Sequence, residues 1–124
     1  MSTEQTISAS TVVTPDALLT PGAVTIEAGV IVDVRATVGP APDRVLCPGL
    51  IDLQVNGHDD VHVAYATGAA WHRMDEILVA QGVTGWCPTL VTAPLDAFAA
   101  PLAEIAAAAV RPQTPTRPAI LGAH

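Results

Sequence analysis

Hydrophobic positions follow two different rhythms along the chain, and the change falls near Pro48. Up to about Leu46, short runs of valine, isoleucine and threonine (Thr11-Val12-Val13, Val24-Thr25-Ile26, Val30 to Val34) are separated by Pro21-Gly22 and Glu27-Ala28-Gly29. β-Branched runs broken by glycine and proline predict short antiparallel strands and hairpins. Gly29 is placed to supply the positive φ that such a turn often needs. Beyond Pro48 the segments lengthen. Leu50 to Asn56 predicts a strand, and Trp71, Met74, Ile77, Leu78 and Gln81 then recur at helical spacing, with Gly82 placed to end the helix. Val83 to Cys87 predicts a second strand, closed by Pro88. Leu95, Phe98, Leu102, Ile105 and Ala109 recur at intervals of three or four and predict a second helix with these residues on one face. Pro101 inside it predicts a kink or a restart, because proline removes a backbone donor and clashes with the preceding turn. Pro112 to Pro118 reads as a linker and Ala119 to Ala123 as a third strand. Strands and helices alternating at this spacing predict an α/β fold built from parallel βαβ units with right-handed crossovers.

Length and composition narrow the choices. A chain of 124 residues suffices for one ordinary domain but falls well short of the roughly 250 of a whole (β/α)8 barrel. Half of the residues are hydrophobic and 14% are charged, a core-rich composition unlike that of disordered chains. The net charge of -7 and the scatter of the five basic residues, Arg35, Arg44, Arg73, Arg111 and Arg117, argue against nucleic acid or an anionic membrane as partner. They also form no evident phosphate cradle. No cationic segment followed by an apolar run opens the sequence, and no apolar stretch approaches the roughly 18 residues of a membrane span, so a cytoplasmic location is expected. Cys47 and Cys87 form neither a C-x-x-C pair nor a disulfide framework, and both are expected to be reduced and buried.

Candidate chemistry collects at predicted strand ends. Strict alternation places Asp52, Gln54 and Asn56 on one face of their strand and Ile51, Leu53 and Val55 on the other. The apolar face is expected to pack beneath helices. Gln54 and Asn56 come at the C-terminal end, where parallel α/β sheets build their sites, and Thr89 and His124 close the second and third strands in the same way. The amides are open to two readings, a satisfied polar pair or a role near a metal or its water, and His124 to structural support or direct contact. His58, Asp59, Asp60 and His62 would align two imidazoles on a helix, but Gly57 and the paired aspartates predict a solvated loop. His72 is expected on an exposed helix face, and Trp71 and Trp86 in packing.

The run Pro48-Gly49-Leu50-Ile51-Asp52-Leu53-Gln54-Val55-Asn56-Gly57 resembles the opening of an amidohydrolase-superfamily barrel. Most members carry His-x-His at this strand end; Gln-x-Asn is instead similar to the N-acetylglucosamine-6-phosphate deacetylase family. Gly82-Val83-Thr84 through Thr89 resembles that family's second strand, and Leu121-Gly122-Ala123-His124 the start of its Gly-x-His-Leu-Glu-Gly-Pro segment. The resemblance implies an incomplete (β/α)8 TIM barrel, its first three strands in residues 48–124, preceded by part of a small β-sandwich in residues 1–47. It implies a metal-dependent hydrolase of amino-sugar catabolism that removes acetyl from N-acetylglucosamine 6-phosphate, a homodimer when complete, with one divalent metal ion, zinc or iron. One metal position would lack imidazoles here, since amide oxygens are weak neutral ligands for zinc. Gln54, Asn56 and His124 would lie in the vicinity of the active site. The glutamate ligand would fall two residues past His124, with the histidine ligands and the catalytic aspartate further on. No catalytic residue or metal ligand is then expected within the chain, which alone should neither hold the metal nor turn over. One departure, His58-Asp59-Asp60-Val61-His62 where the family often has glycines and then aspartate, keeps open another amide hydrolase of the superfamily or a non-catalytic fragment.

Overall fold

The structure, a computed structural model, describes residues 4–124. It contains two compact units, Met1–Pro48 and Gly49–His124.

The first unit carries β1 (Glu4–Ala9), β2 (Thr11–Val13), β3 (Leu18–Leu19), β4 (Gly22–Glu27), β5 (Val30–Ala36) and β6 (Val45–Leu46). Two three-stranded sheets result, an antiparallel β1-β4-β5 and a β3-β2-β6 sheet in which β2 pairs antiparallel with β3 and parallel with β6. The β4–β5 hairpin turns on Ala28 and Gly29, at φ of 50° and 80°. Two successive positive φ values are what a two-residue turn needs to match the twist of its strands. Among the described residues of this unit, Ala9, Val12 and Val24 form its buried hydrophobic cluster, with Leu19, Ile26 and Leu46 packed partly against it. An apolar cleft of about 440 Å³ opens between side chains of both sheets, lined by Ile7, Val12, Val24, Ile26, Ile31 and Leu46 among others. Val30, Ile31 and Val32 of β5 remain 63%, 61% and 51% exposed.

In the second unit, β7 (Leu50–Val55) is followed by a small hairpin of β8 (Gly57–His58) and β9 (Val61–His62) and a 3-10 turn over Val63–Tyr65. Then come α1 (Ala69–Ala80), β10 (Val83–Pro88), a 3-10 turn over Leu95–Phe98, α2 (Ala99–Ala109) and β11 (Ala119–Ile120). The sheet is parallel, in the order β7-β10-β11. Gly49, at the entry to β7, lies so close to Thr84 that a Cβ there would overlap its side chain. The stripe Trp71, Met74 and Leu78 of α1 meets Trp86 of β10 and Ile105 and Ala108 of α2 in one buried cluster. The Trp71 and Trp86 rings lie 6.3 Å apart between centroids. Helix α1 ends as its sequence predicts, with Gly82 at φ 81° and its N–H donating to the Val79 carbonyl at 2.9 Å. Among the described residues no helix is long and apolar enough to cross a membrane.

Three expectations need correction. Leu95 and Leu102 are 91% and 43% exposed, so the buried line of the second helical segment runs through Ile105 and Ala108, with Phe98 and Pro101 half-buried. The restart expected at Pro101 is present: a 3-10 turn hands over to α2, and Pro101 sits in the first turn of α2 where no intrahelical partner awaits its missing N–H. Ile51 and Leu53 are 53% and 65% exposed, because neither helix of this chain covers them; of the apolar face of β7 only Val55 is buried. Cys47 is exposed and Cys87 half-buried, both as free thiols. Cys47 follows the two-residue β6 on the rim of the apolar cleft, where no layer lies over it.

Candidate functional site

The C-terminal ends of β7, β10 and β11 are tied together by backbone hydrogen bonds that run past the regular strands. Thr89 N–H donates to the Val55 carbonyl at 2.8 Å, His124 N–H to the Pro88 carbonyl at 2.9 Å, and Leu90 N–H to the His124 carbonyl at 2.9 Å. This ladder brings Asn56, Thr89 and His124 to one place. Asn56 is half-buried, and its Nδ2 donates to the Thr89 carbonyl at 3.4 Å. Thr89 is only 5% exposed; its Oγ1 donates to the Cys87 carbonyl at 3.1 Å and lies 3.5 Å from Nδ1 of His124.

Gln54 is placed differently. It is exposed, and among the described residues its side chain makes no hydrogen bond, while its backbone N–H donates to the Asp52 carboxylate at 3.1 Å. Strict alternation does not survive along β7: Asp52 pairs with Trp86 and Val55 with Pro88, so three steps on β7 oppose two on β10. A bulge of this kind breaks the period of two and re-aims the residues beyond it. Asp52, Gln54 and Asn56 therefore do not form one uninterrupted polar row.

The segment after Asn56 is a tight hairpin rather than an open loop or a helix. Gly57 pairs with His62 and His58 with Val61, and a Cβ on Gly57 would run into the Val61 carbonyl oxygen. Asp59 takes the turn at φ 49°, a conformation that aspartate tolerates better than most residues. The hairpin is fastened to α1: Nε2 of His58 lies 2.6 Å from the Gln81 amide, and Arg73 lies 3.5 Å from Asp59 and 3.8 Å from Asp60. His62 accepts the Ala64 N–H at 3.3 Å through Nδ1 and so caps the following 3-10 turn. His58 and His62 are thus engaged in local structure, and His72 is exposed on α1.

All five arginines have partners within their own units. Arg35 pairs with Asp33, Arg44 donates to the Ser8 carbonyl, Arg73 faces Asp59, Asp60 and Glu76, and Arg111 and Arg117 converge on Asp75. The last cluster was not expected from the sequence. Asp75 is 3% exposed and receives two bonds from Arg111, at 2.9 and 3.1 Å, and one from Arg117 at 3.3 Å. The signal was an acidic residue four positions after Trp71 on the apolar stripe of α1, a place where a charge must find partners.

A metal centre does not fit these residues. Among the described residues no group of three His, Cys, Asp or Glu comes together. The donors that do converge at the strand ends are a carboxamide, a hydroxyl and one imidazole, whereas zinc takes thiolate, imidazole and carboxylate.

No protein-family model matches the chain. Curated relatives do match: N-acetylglucosamine-6-phosphate deacetylase of Rattus norvegicus is 37% identical over 84 residues, and that of Homo sapiens 34% identical over 84 residues. Each match takes in 65% of this chain and 20% of the relative, so the chain spans about a fifth of the length of these proteins. Among solved structures, N-acetylglucosamine-6-phosphate deacetylase of Thermotoga maritima superposes on 97% of this chain and 31% of its own at a TM-score of 0.80 and 27% identity. A mutant of the Mycobacterium smegmatis deacetylase, in complex with N-acetyl-D-glucosamine-6-phosphate, superposes on 85% of this chain and 29% of its own at 0.73 and 29% identity. Aspergillus niger ochratoxinase shares the fold alone, at a TM-score of 0.54 and 14% identity. Over about two thirds of its sequence, and over nearly all of its backbone, this chain is similar to N-acetylglucosamine-6-phosphate deacetylases.

Proposed function

We propose that this chain is the N-terminal part of a metal-dependent amide hydrolase that removes the acetyl group from N-acetylglucosamine 6-phosphate in the cytoplasm. In this reading residues 1–47 contribute part of a β-sandwich, and residues 48–124 the first three strands of an incomplete (β/α)8 barrel whose mouth is the end carrying Asn56, Thr89 and His124. The observation that carries it is the parallel β7-β10-β11 sheet with Gln54-Val55-Asn56 at the C-terminal end of its first strand, in a chain similar to these deacetylases over 65% of its length.

Gln54, Asn56 and His124 supply hydrogen-bond donors and acceptors suited to hold the hydroxyl and amide groups of an acetylated amino sugar. The divalent ion, zinc or iron, would supply Lewis-acid chemistry when bound, and its ligands and the proton-transferring aspartate would come from sequence other than this chain. The phosphate would likewise need a cation from elsewhere, since each arginine here is already paired. By itself the chain is proposed to be inactive, and the complete enzyme to be a homodimer.

The pinned β8–β9 hairpin favours one rival, a related amide hydrolase with a different acyl-amine substrate, because His58, Asp59 and Asp60 stand where the family often carries glycines. The test is acetate release from N-acetylglucosamine 6-phosphate by a polypeptide carrying this segment within the complete barrel. Asn56→Ala is expected to lower kcat/KM about 10- to 100-fold, the range seen when groups supporting an active centre are removed. Turnover of other acyl amines but not of the sugar phosphate would favour the rival.

A further inference from the structure

We propose that Thr89 holds the His124 imidazole in its Nδ1–H tautomer and so leaves Nε2 as a lone-pair acceptor at the C-terminal end of the parallel sheet. A threonine hydroxyl has one proton to give. Two groups lie within reach of Oγ1: the Cys87 carbonyl at 3.1 Å, which can only accept, and Nδ1 of His124 at 3.5 Å, which can donate or accept according to tautomer. The shorter contact takes the hydroxyl proton, because bond strength falls with distance and the carbonyl has no other way to meet Oγ1 favourably. The oxygen then faces His124 with a lone pair, and only a protonated Nδ1 is attracted to it. Neutral imidazole carries one N–H, so Nε2 is left bare.

Burial makes the choice persistent. Thr89 is 5% exposed, so its hydroxyl has little access to water as a substitute partner. His124 is fixed through its backbone on both sides, its N–H on the Pro88 carbonyl and its carbonyl on the Leu90 N–H, each at 2.9 Å, which leaves the ring only its own side-chain torsions. His124 as a whole is exposed. Thr89 is a positioning residue in this account, and the ligand group that His124 recognises must be a donor, a hydroxyl or an N–H. That the donor belongs to an amino sugar rests on the deacetylase reading; the tautomer does not.

Long-range nitrogen–proton correlation spectra of the intact polypeptide, labelled at histidine rings and recorded where imidazole is neutral, read the tautomer directly. The His124 signals are assigned by their loss in His124→Gln. Nδ1 is expected in the protonated range and Nε2 in the lone-pair range. Thr89→Val is expected to shift the ratio about fivefold toward the Nε2–H form, the contribution of one neutral hydrogen bond, while Thr89→Ser keeps it. An Nε2–H ring in the unaltered protein overturns the proposal, and so does a folded Thr89→Val variant with an unchanged ratio. Should Thr89→Val fail to fold, the unaltered protein and Thr89→Ser still decide. Loss of the deacetylase reading in the acetate assay leaves these spectra untouched, so the two can fail separately.

Discussion

The two units solve the same problem with unequal means. The first spreads six short strands around a buried cluster of three residues, Ala9, Val12 and Val24, whereas the second wraps two helices over a three-stranded sheet and buries eleven residues in one cluster. A helix layer seals a sheet face with few, large side chains such as Trp71, Met74 and Trp86. Short β-strands facing one another leave a 440 Å³ cleft and an exposed run from Val30 to Val32. The lesson is that stability here should concentrate in the second unit, on the helix side of its sheet.

The strongest challenge to this contrast is Asp75→Asn. It leaves the guanidiniums of Arg111 and Arg117, which are 17% and 15% exposed, without their buried anion. A cost of about 3–5 kcal/mol is expected from breaking such a cluster, read as a fall in the urea midpoint of the second unit. A loss below about 1 kcal/mol would mean that the cluster does not organise this unit. Trp86→Ala should cost about 3–5 kcal/mol as well, since its ring is fully buried against Trp71. Val24→Ala in the first unit should cost only about 1.5 kcal/mol, the transfer of two carbons beside an open cleft. Equal losses from these two would erase the contrast.

Smaller effects sharpen it. Asn56→Ala removes the bond to the Thr89 carbonyl and should cost about 1 kcal/mol of stability, measured by denaturant melts. Ile31→Lys, on the exposed β5, should change stability by less than about 0.5 kcal/mol. It should nonetheless reduce self-association of the isolated chain in sedimentation velocity, because charge on an exposed strand discourages further pairing.

Much of this contrast is legible in the sequence. The three β-branched runs before Leu46, the stripe from Trp71 to Leu78, the Gly82 stop and the strand up to Pro88 correspond to β2, β4, β5, α1 and β10 within a residue or two, because each depends on local spacing and turn chemistry, whereas β1, β3 and β6 carry no comparable run. Features that depend on a second strand or a distant residue are not legible. The bulge between Asp52 and Val55 is a mismatch of register with β10, which β7 alone cannot encode. The exposure of Leu95 and Leu102 follows from where the 3-10 turn hands over to α2. Asp75 finds its partners 36 and 42 positions away. At the candidate site, Gln54, Asn56, Thr89 and His124 stand out as polar residues at strand ends, whereas the role of Thr89 as the link between Asn56 and His124 emerges only once the strands are aligned.

The central claim of the proposed function is that the strand ends of this chain supply part of a catalytic centre and not all of one. Acetate release from N-acetylglucosamine 6-phosphate by the 124-residue chain alone, with zinc added, tests this most directly. No acetate above the uncatalysed background is predicted. Zinc-dependent turnover by the isolated chain would contradict it.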